Sequence, residues 1–462
     1  MQYKGLSAIQ GSLMVVEGVK NPVSGEIVSI ECDSYPNKKT GRVVQIDGDR
    51  TVIQVFEGTY NMSLENTVTQ FTGHPLQLRL SADILGRVFD GMGRPIDGLG
   101  PVLAEHMRDI NGSAINPVAR EYPRSFIQTG MSAIDGLMTL IRGQKLPIFS
   151  GDGLPHDRIA AQILRQATVT SDKRGSTAGE GSFAIVFGAM GIQHDVASYF
   201  RRTLTEIGGM DRVTMFLNVA NDPVVERIAT PRAALTAAEY LAYDLGMHVL
   251  VILTDMTAYA EALREISSSQ GEIPSRKGYP GYLYSELSSI FERAGIVKGR
   301  SGSVTQIPIL SMPGDDITHP IPDLTGFITE GQIVLDRGLF QKGIYPPIRI
   351  LPSLSRLMKD SIGEGYTRDD HPDLANQLFA LYARVEEVRA LARVIGEDEL
   401  NEVDQKFIQY GEAFEGKFLN QSEYDNRSIE ETLDLAWELL KILPKSQLNR
   451  LESEVLEKYG AR

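Results

Sequence analysis

The feature that most constrains the fold is a regular alternation of hydrophobic patterns between residues 74 and 346. Short apolar runs, such as residues 183–187 and 213–219, have the length and composition of buried strands. Segments with a helical period, such as residues 157–168 and 231–245, stand between such runs. Strands that alternate with helices in this way pair in parallel and carry the helices on the faces of the sheet. The sequence therefore predicts a central α/β domain with a mostly parallel sheet.

A different pattern precedes this region. Short β-branched clusters are separated by turn signals, and Asp47-Gly48 stands between two of the clusters as in a tight hairpin. We expect a small all-β barrel or sandwich here. Residues 171–182, inside the α/β region, are polar and rich in glycine and serine, and we expect a surface loop.

A third pattern begins after Pro372. One apolar stripe has alternating spacings of three and four, which is typical of an amphipathic helix, and consists of Leu374, Leu378, Leu381, Val385, Val388, Ala392 and Ile395. Gly396 stands where a glycine ends a helix, and Ser428 and Glu431 have the spacing of a capping box. The three patterns predict three domains: a β-barrel at 1–73, an α/β domain at 74–350 and a helical domain at 351–462.

Composition excludes several classes of function. Lys and Arg number 46 against 60 Asp and Glu, so the net charge is −14, which disfavours nucleic acid and anionic lipid as partners. A single cysteine, Cys32, excludes an intrachain disulfide framework and multi-cysteine metal sites, and we expect it to be a small buried strand residue. The seven histidines lack the H-E-x-x-H spacing, and no apolar run approaches the length of a membrane span. We therefore predict a protein of a reducing compartment without a metal site of its own.

The most informative short motif is an altered phosphate loop at residues 150–156. It lies between a predicted strand and a predicted helix, where G-x-x-x-x-G-K-T/S would bind phosphates. The corresponding residues here are Ser150, Gly151, Gly153, Leu154, Pro155 and His156, followed by Asp157. Proline has no N–H to donate to a phosphate, histidine is mostly neutral at pH 7, and an aspartate repels a triphosphate. We expect weak nucleotide binding or none. Taken alone, the glycines could equally form a tight turn of an unrelated α/β protein.

Two further positions bear on hydrolysis. Residues 248–255 form an apolar strand that ends in Asp255, where a Walker-B aspartate would hold Mg²⁺, although an aspartate after a strand is often only a helix cap. Hydrolysis also needs an acid or glutamine that orients water, and Gly191-Ile192-Gln193, at the end of the neighbouring predicted strand, has no acid at its centre. The chain therefore has no complete hydrolytic site of its own.

Six longer strings are more specific than these motifs: FIQTG (126–130), RGQKLPIF (142–149), SGDGLPH (150–156), NVANDP (218–223), GYPGY (278–282) and GDDITHPIPD (314–323). With them, the chain resembles, over essentially its whole length, the B subunit of the V-type and archaeal A-type rotary ATPases. The resemblance implies an N-terminal barrel, a central RecA-like, P-loop-type nucleotide-binding domain with a degenerate phosphate loop, and a C-terminal helical bundle.

The resemblance also implies an assembly. In that family the subunit is the non-catalytic, regulatory member of a hexamer in which three copies alternate with three catalytic A subunits. A central rotor and peripheral stalks connect the hexamer to the membrane sector that translocates ions. We therefore expect a cytoplasmic chain that is peripheral to the membrane through the complex, with ATP or ADP and Mg²⁺ bound at the interface with the catalytic subunit.

The family's arginine-finger segment is similar to PPIRILPSLSR (346–356), with Arg356 at the position of the finger. A guanidinium supplied by a neighbouring subunit stabilises the charge that develops in phosphoryl transfer. Two departures from the family are Arg349, where Asn or Asp is usual, and Tyr366, where lysine is usual. Arg349 places a second guanidinium within seven residues of Arg356 and could shift its partners.

Two alternatives stay open at this point. One is a purely structural or binding subunit in which Arg356 only pairs with a carboxylate and contributes nothing to nucleotide chemistry. The other is a self-sufficient hexameric ATPase of the export type, which would need its own phosphate-loop lysine, hydroxyl residue and acid.

Overall fold

The computed structural model describes residues 1–32, 35–169, 182–206 and 210–460. Most of the predicted polar loop at 171–182 lies outside these ranges. Within them, no helix combines the length and the apolar character that crossing a membrane requires.

The N-terminal part is a seven-stranded antiparallel sheet with a core of its own. Its order is β1-β7-β4-β5-β6-β3-β2. The strands are β1 (Gln2–Lys4), β2 (Ala8–Gln10), β3 (Leu13–Glu17), β4 (Ile27–Cys32), β5 (Tyr35–Asp47), β6 (Arg50–Val55) and β7 (Val68–Phe71). The predicted hairpin is confirmed: Asp47 pairs with Arg50, and Gly48 has a φ of 58°. Cys32 is buried at the end of β4, as predicted.

A large, mostly parallel sheet forms the central part. Its main path runs β22-β21-β14-β20-β18-β16-β17-β9, and β19 and β11 extend it from β20. Its strands are β9 (Val88–Asp90), β11 (Arg120–Glu121), β14 (Ile148–Gly151), β16 (Phe183–Ile192), β17 (Val213–Val219), β18 (His248–Thr254), β19 (Gly295–Val297), β20 (Ser303–Met312), β21 (Gly331–Leu335) and β22 (Ile348–Ser355). Two small sheets lie beside it and contain β8 (Gln77–Leu80) and β10 (His106–Asp109), and β12 (Phe126–Gln128), β13 (Leu140–Ile141) and β15 (Thr168–Val169).

Eight helices accompany the described strands of this part, and apolar clusters fill the space between the helices and the sheet. They are α1 (Ser132–Leu137), α2 (His156–Gln166), α3 (His194–Glu206), α4 (Val224–Tyr243), α5 (Met256–Ser269), α6 (Leu283–Phe291), α7 (Pro320–Ile328) and α8 (Arg337–Gln341). The helical segment predicted at 231–245 is confirmed as part of α4, which begins seven residues before Pro231. Proline removes one backbone donor from a helix, and the near-complete burial of α4 compensates for that loss.

The C-terminal part is helical. It contains α9 (His371–Ile395), α10 (Glu402–Ala413), a π-helical turn (Phe414–Leu419), α11 (Ile429–Leu440) and α12 (Ser453–Tyr459). The capping box of Ser428 and Glu431 is present, and Gly396 ends α9 with a φ of 95°. The predicted stripe is buried from Leu374 to Ala392, but Ile395 is exposed, because it lies in the last turn beyond the bundle.

Candidate functional site

The degenerate phosphate loop has the predicted strand–loop–helix setting. β14 ends at Gly151 and α2 begins at His156. The Oγ of Ser150 and the Nδ1 of His156 lie 2.9 Å apart, and Ser150 is completely buried. The side chains at the two ends of the loop are therefore hydrogen bonded to each other. In a functional phosphate loop, those two positions would hold a glycine and a lysine that contacts phosphate.

An ion pair on the surface braces the same loop. The guanidinium of Arg337 donates to the Asp152 carbonyl at 2.9 Å, and its Nε lies 2.7 Å from Oδ2 of Asp315. A side chain at position 151 would displace the Asp315 carboxylate from its place beside Arg337. Arg337 holds the pKa of Asp315 below its usual range. The cation nearest to the loop is thus already neutralised by a carboxylate.

The loop does not fit a tightly held Mg-triphosphate. Pro155 immediately precedes α2 and has no N–H, while the N–H of His156 donates to the Leu154 carbonyl at 2.9 Å. Burial raises the pKa of Asp157, and the nearby carboxylates of Asp255 and Asp195 raise it further against the opposing effect of His156. Anionic groups and a missing donor therefore stand where a phosphate would need cations and N–H groups.

Asp255 acts as a helix cap in the structure. It follows β18 directly, as predicted. Its Oδ1 accepts hydrogen bonds from the N–H of Thr257 at 2.8 Å and from the N–H of Ser311 at 3.1 Å. The carboxylate therefore ties the start of α5 to β20, which is the structural interpretation that the sequence had left open.

The end of β16 has no catalytic acid and contacts an amide of β17, Asn218. The N–H of Gly191 donates to Oδ1 of Asn218 at 3.1 Å, and Nε of Arg227 donates to the same oxygen at 3.0 Å. Gln193 is exposed beyond the strand. A water-orienting carboxylate is therefore absent from the residues 191–193 at this strand end.

Arg356 lies at the opposite edge of the sheet from the loop. β22 runs antiparallel to β21, and Gly331 at the start of β21 pairs with Ser355 at the end of β22. Because β21 is parallel to β14, Arg356 follows the end of β22 at the edge where β14 begins. The sequence-predicted site residues thus form two groups: residues 150–157 and Asp255 at one edge, and Arg356 at the other.

The guanidinium of Arg356 is exposed. Its Nη1 lies 3.4 Å from the Thr329 carbonyl, and its backbone N–H donates to the Glu330 carbonyl at 2.9 Å. In the part of the chain that the structure describes, no carboxylate lies within ion-pair distance of this guanidinium. Its charge is therefore available to a group outside the chain.

Arg349 is not a neighbour of Arg356, contrary to the expectation that it could shift the partners of that residue. It lies near the beginning of β22, with its Nε 3.9 Å from Oδ2 of Asp336. Seven residues of extended strand separate the two backbones by roughly 20 Å. The second guanidinium therefore belongs to the other edge of the sheet.

The contacts that hold these groups join residues far apart in the chain. Arg337 and Asp315 stand 22 residues apart, and Lys145 contacts Glu330 across 185 residues. Local patterns contain no signal for such pairs. Lys145 and Asp315 belong to strings that resemble the family, but these strings do not indicate what the two residues contact.

Comparison with known proteins yields matches along the whole chain. Three family models match: the beta-barrel domain of the ATP synthase alpha/beta family at 6–73, its nucleotide-binding domain at 130–355, and the C-terminal domain of V and A type ATP synthase at 360–460. The matches confirm the predicted fold class of barrel, nucleotide-binding domain and helical domain.

Individual proteins similar to this chain are ATP synthase subunits as well. The chain is 61% identical to V-type ATP synthase beta chain 2 of Clostridium tetani, over 99% of this chain and 98% of that protein. It is 59% identical to the V-type ATP synthase beta chain of Thermotoga neapolitana, with 99% and 98% covered. Among solved structures, the ATP synthase subunit NeqB from Nanoarcheaum equitans has a TM-score of 0.73 and 39% identity, covering 93% of this chain and 98% of that one. The resemblance drawn from the motifs is thereby confirmed.

Proposed function

The chain belongs to the family of V-type ATP synthase beta chains, and from this premise we propose that it is the non-catalytic, regulatory subunit that supplies Arg356 to a neighbour's ATP site. It is a subunit of a rotary ATPase of the V/A type. In the proposed assembly three copies alternate with three catalytic A subunits. The chain contributes an arginine finger to each of three active sites that it does not itself complete.

The observation that carries this proposal is the exposed guanidinium of Arg356. An arginine that stabilises its own fold makes several side-chain contacts within the chain, as Arg337 does with Asp315 and the Asp152 carbonyl. For the guanidinium of Arg356 the structure describes one contact, at 3.4 Å to the Thr329 carbonyl. Phosphoryl transfer builds negative charge on the equatorial oxygens of the γ-phosphate, and an unpaired guanidinium can stabilise it. Because the cation comes from a second subunit, hydrolysis depends on how closely the two subunits approach.

Residues 150–157 and Asp255, at the other edge of the sheet, also support the proposal that catalysis belongs to the partner subunit. The Ser150–His156 hydrogen bond, the missing N–H of Pro155 and the capping role of Asp255 all act against a catalytic site on this chain. An export-type ATPase would need a lysine, a hydroxyl residue and an acid at positions 156, 157 and 191–193, and the chain has none of them there. ATP or ADP with Mg²⁺ is, in this proposal, the substrate of the catalytic partner at the shared interface.

The proposal includes the wider assembly. Besides the catalytic subunit, the partners are the central rotor and peripheral stalk subunits, and through them the membrane sector that translocates ions. The chain then lies on the cytoplasmic side, peripheral to the membrane. Its net charge of −14 agrees with protein partners better than with nucleic acid.

The test is ATP turnover of the hexamer assembled with a catalytic A subunit. We expect Arg356→Ala to lower turnover by about 10³-fold or more, because an arginine finger is worth roughly 10³ to 10⁵ in rate. Arg356→Lys should recover only a small part, since an ammonium cannot reproduce the planar fork of donors. Arg349→Ala, at the other end of the same strand, is the matched control and should retain turnover.

Sizing of each complex must show that all variants assemble. Wild-type turnover with Arg356→Ala in an assembled hexamer would favour the purely structural subunit. If Arg349→Ala lowered turnover and Arg356→Ala did not, the arginine finger would be Arg349.

A further inference from the structure

A buried lysine lies close to the backbone that carries Arg356. The side chain of Lys145 is 4% exposed, and its Nζ lies 2.8 Å from Oε1 of Glu292 and 2.9 Å from Oε1 of Glu330. Removing an ammonium from water is costly, and an apolar side chain of similar volume often stabilises a fold equally well. The two carboxylates remain partly exposed. The ion pair therefore calls for a role other than stability alone.

Lys145 holds Glu330 by both its backbone and its side chain. The backbone N–H of Lys145 donates to Oε2 of Glu330 at 2.9 Å, while Nζ contacts Oε1. The N–H of Glu330 donates in turn to the Lys145 carbonyl at 3.1 Å. Both carboxylate oxygens and the backbone N–H of Glu330 are thus bonded to Lys145. The carbonyl of Glu330 remains available to other donors.

The carbonyl of Glu330 is hydrogen bonded to the backbone of Arg356. The Glu330 carbonyl accepts from the N–H of Arg356 at 2.9 Å and from Nε2 of Gln144 at 3.1 Å. Nε2 of Gln144 also donates to the Ser355 hydroxyl at 2.9 Å. The guanidinium itself contacts the carbonyl of Thr329, the residue before Glu330. Every hydrogen bond that the structure describes for Arg356 therefore ends on the Thr329–Glu330 turn.

The turn has little freedom to move independently of Arg356. At Gly331, the next residue, a side chain would collide with the Leu354 carbonyl, so the two strands approach each other closely there. Gly331 has a φ of 142°, which a residue with a side chain rarely adopts. A displacement of Glu330 is consequently passed on to residues 354–356.

We propose that Lys145 and Glu330 are positioning residues, which fix the turn from which Arg356 extends toward the substrate of the neighbouring subunit. This inference rests on the proposed role of Arg356. Misplacing a catalytic group by about 1 Å can cost 10²-fold in rate. The ion pair between the buried Lys145 and Glu330 keeps the guanidinium of Arg356 in position while the distance to the partner subunit changes.

The test is Glu330→Gln in the assembled hexamer. A carboxamide has one acceptor oxygen, whereas N and Nζ of Lys145 are both donors, so one of the two contacts becomes donor against donor. We expect turnover to fall by about 10- to 100-fold and KM to stay nearly constant, because the lost interaction acts in the transition state. In an Arg356→Ala background the same substitution should cause no further loss, since both changes remove one effect.

Glu292→Gln is the matched control. It removes the other carboxylate from the same Nζ and leaves the contacts of Thr329 and Glu330 with Arg356 in place, so we expect turnover close to wild type. Lys145→Arg keeps a cation and should retain most of the activity. Hydrogen exchange of the Arg356 amide in the isolated chain needs no assembly, and it should be faster in Glu330→Gln than in Glu292→Gln.

Three results would overturn the positioning role: wild-type turnover of Glu330→Gln, a further loss in the Arg356→Ala background, or equal exchange of the Arg356 amide in the two variants. If Arg356→Ala lowers turnover and Glu330→Gln does not, only the positioning role fails. If Arg356→Ala itself retains turnover, the proposed function fails and the positioning role fails with it.

Discussion

The hydroxyl of Ser150 and the Nδ1 of His156 are joined by a 2.9 Å hydrogen bond across the mouth of a loop that other nucleotide-binding domains use for phosphate. The bond uses the two side chains that replace the first glycine and the lysine of that loop. The cation that contacts the loop, Arg337, is already paired with Asp315. At this loop the structure thus shows a strand–loop–helix setting in which Pro155 has no N–H to donate and the Ser150 and His156 side chains bond to each other.

We predict that the isolated chain does not bind Mg-ATP with submicromolar affinity. Pro155 offers no N–H, and the carboxylates of Asp157, Asp195 and Asp255 repel the triphosphate. Calorimetric titration with Mg-ATP measures this directly, and Asp157→Thr, which removes one of the charges, is expected to bind more tightly than wild type. A submicromolar dissociation constant for the wild-type chain would contradict our interpretation of the loop.

Asp255 is predicted to matter for stability and not for Mg²⁺. Asp255→Ala removes the acceptor of two backbone N–H groups and should destabilise the central domain by about 1 to 2 kcal/mol. Asp255→Asn keeps Oδ1 as an acceptor and should have nearly the wild-type melting temperature and, in the hexamer, nearly the wild-type turnover. The melting temperatures and turnover of the two variants distinguish a helix cap from a Mg²⁺ ligand. Loss of turnover in Asp255→Asn at unchanged stability would point to a ligand instead.

Local sequence signals were sufficient for most elements and for the position of the site. The apolar run at 248–254 and the acid that follows it gave β18 and Asp255, and the spacing of Ser428 and Glu431 gave the start of α11. These predictions succeeded because strand length, helix-cap hydrogen bonds and helical periodicity are determined by a few neighbouring residues. The first turns of α4, before Pro231, were missed for the same reason, because a first-turn proline and a buried interior proline have the same local pattern.

The connections within the site could not be predicted in this way. Asp255 caps α5 through Thr257, but its second hydrogen bond comes from Ser311, which lies 56 residues away. The support of Arg356 depends on Lys145, which pairs with Glu330 across 185 residues. Only the parallel order of the sheet brings these residues together, and the order of strands is not contained in any one segment.

We predict that Tyr410→Phe stabilises the helical domain. Tyr410 is completely buried, and its hydroxyl has no hydrogen-bond partner among the residues that the structure describes. Removing an unsatisfied buried hydroxyl should raise the free energy of unfolding by about 1 kcal/mol. Tyr382→Phe is the matched control, because the hydroxyl of Tyr382 donates to Oε1 of Glu415 at 2.9 Å and its loss should lower stability. A lower melting temperature for Tyr410→Phe would instead indicate an internal water bonded to the hydroxyl.

The last prediction concerns pH and the junction of the helical and central parts. The ring of His371 in α9 is completely buried, with Nε2 3.0 Å from the Gly136 carbonyl in α1 and Nδ1 3.1 Å from the Thr367 hydroxyl. Burial lowers the pKa of His371 from 6.5 to about 4. Since the carbonyl can only accept, the neutral ring donates from Nε2.

A histidine whose folded-state pKa is lowered contributes stability above the unfolded pKa, and that contribution is lost as the pH falls. For His371 the loss runs from about pH 6.5 to about pH 4 and amounts to about 3 kcal/mol. Denaturant unfolding at pH 7 and pH 4 should therefore show a larger loss for wild type than for His371→Gln, in which the amide can still donate to Gly136. His74→Gln changes an exposed ring and should follow the wild-type profile. Equal losses in wild type and His371→Gln would mean that the buried ring does not couple protonation to the junction of the two parts.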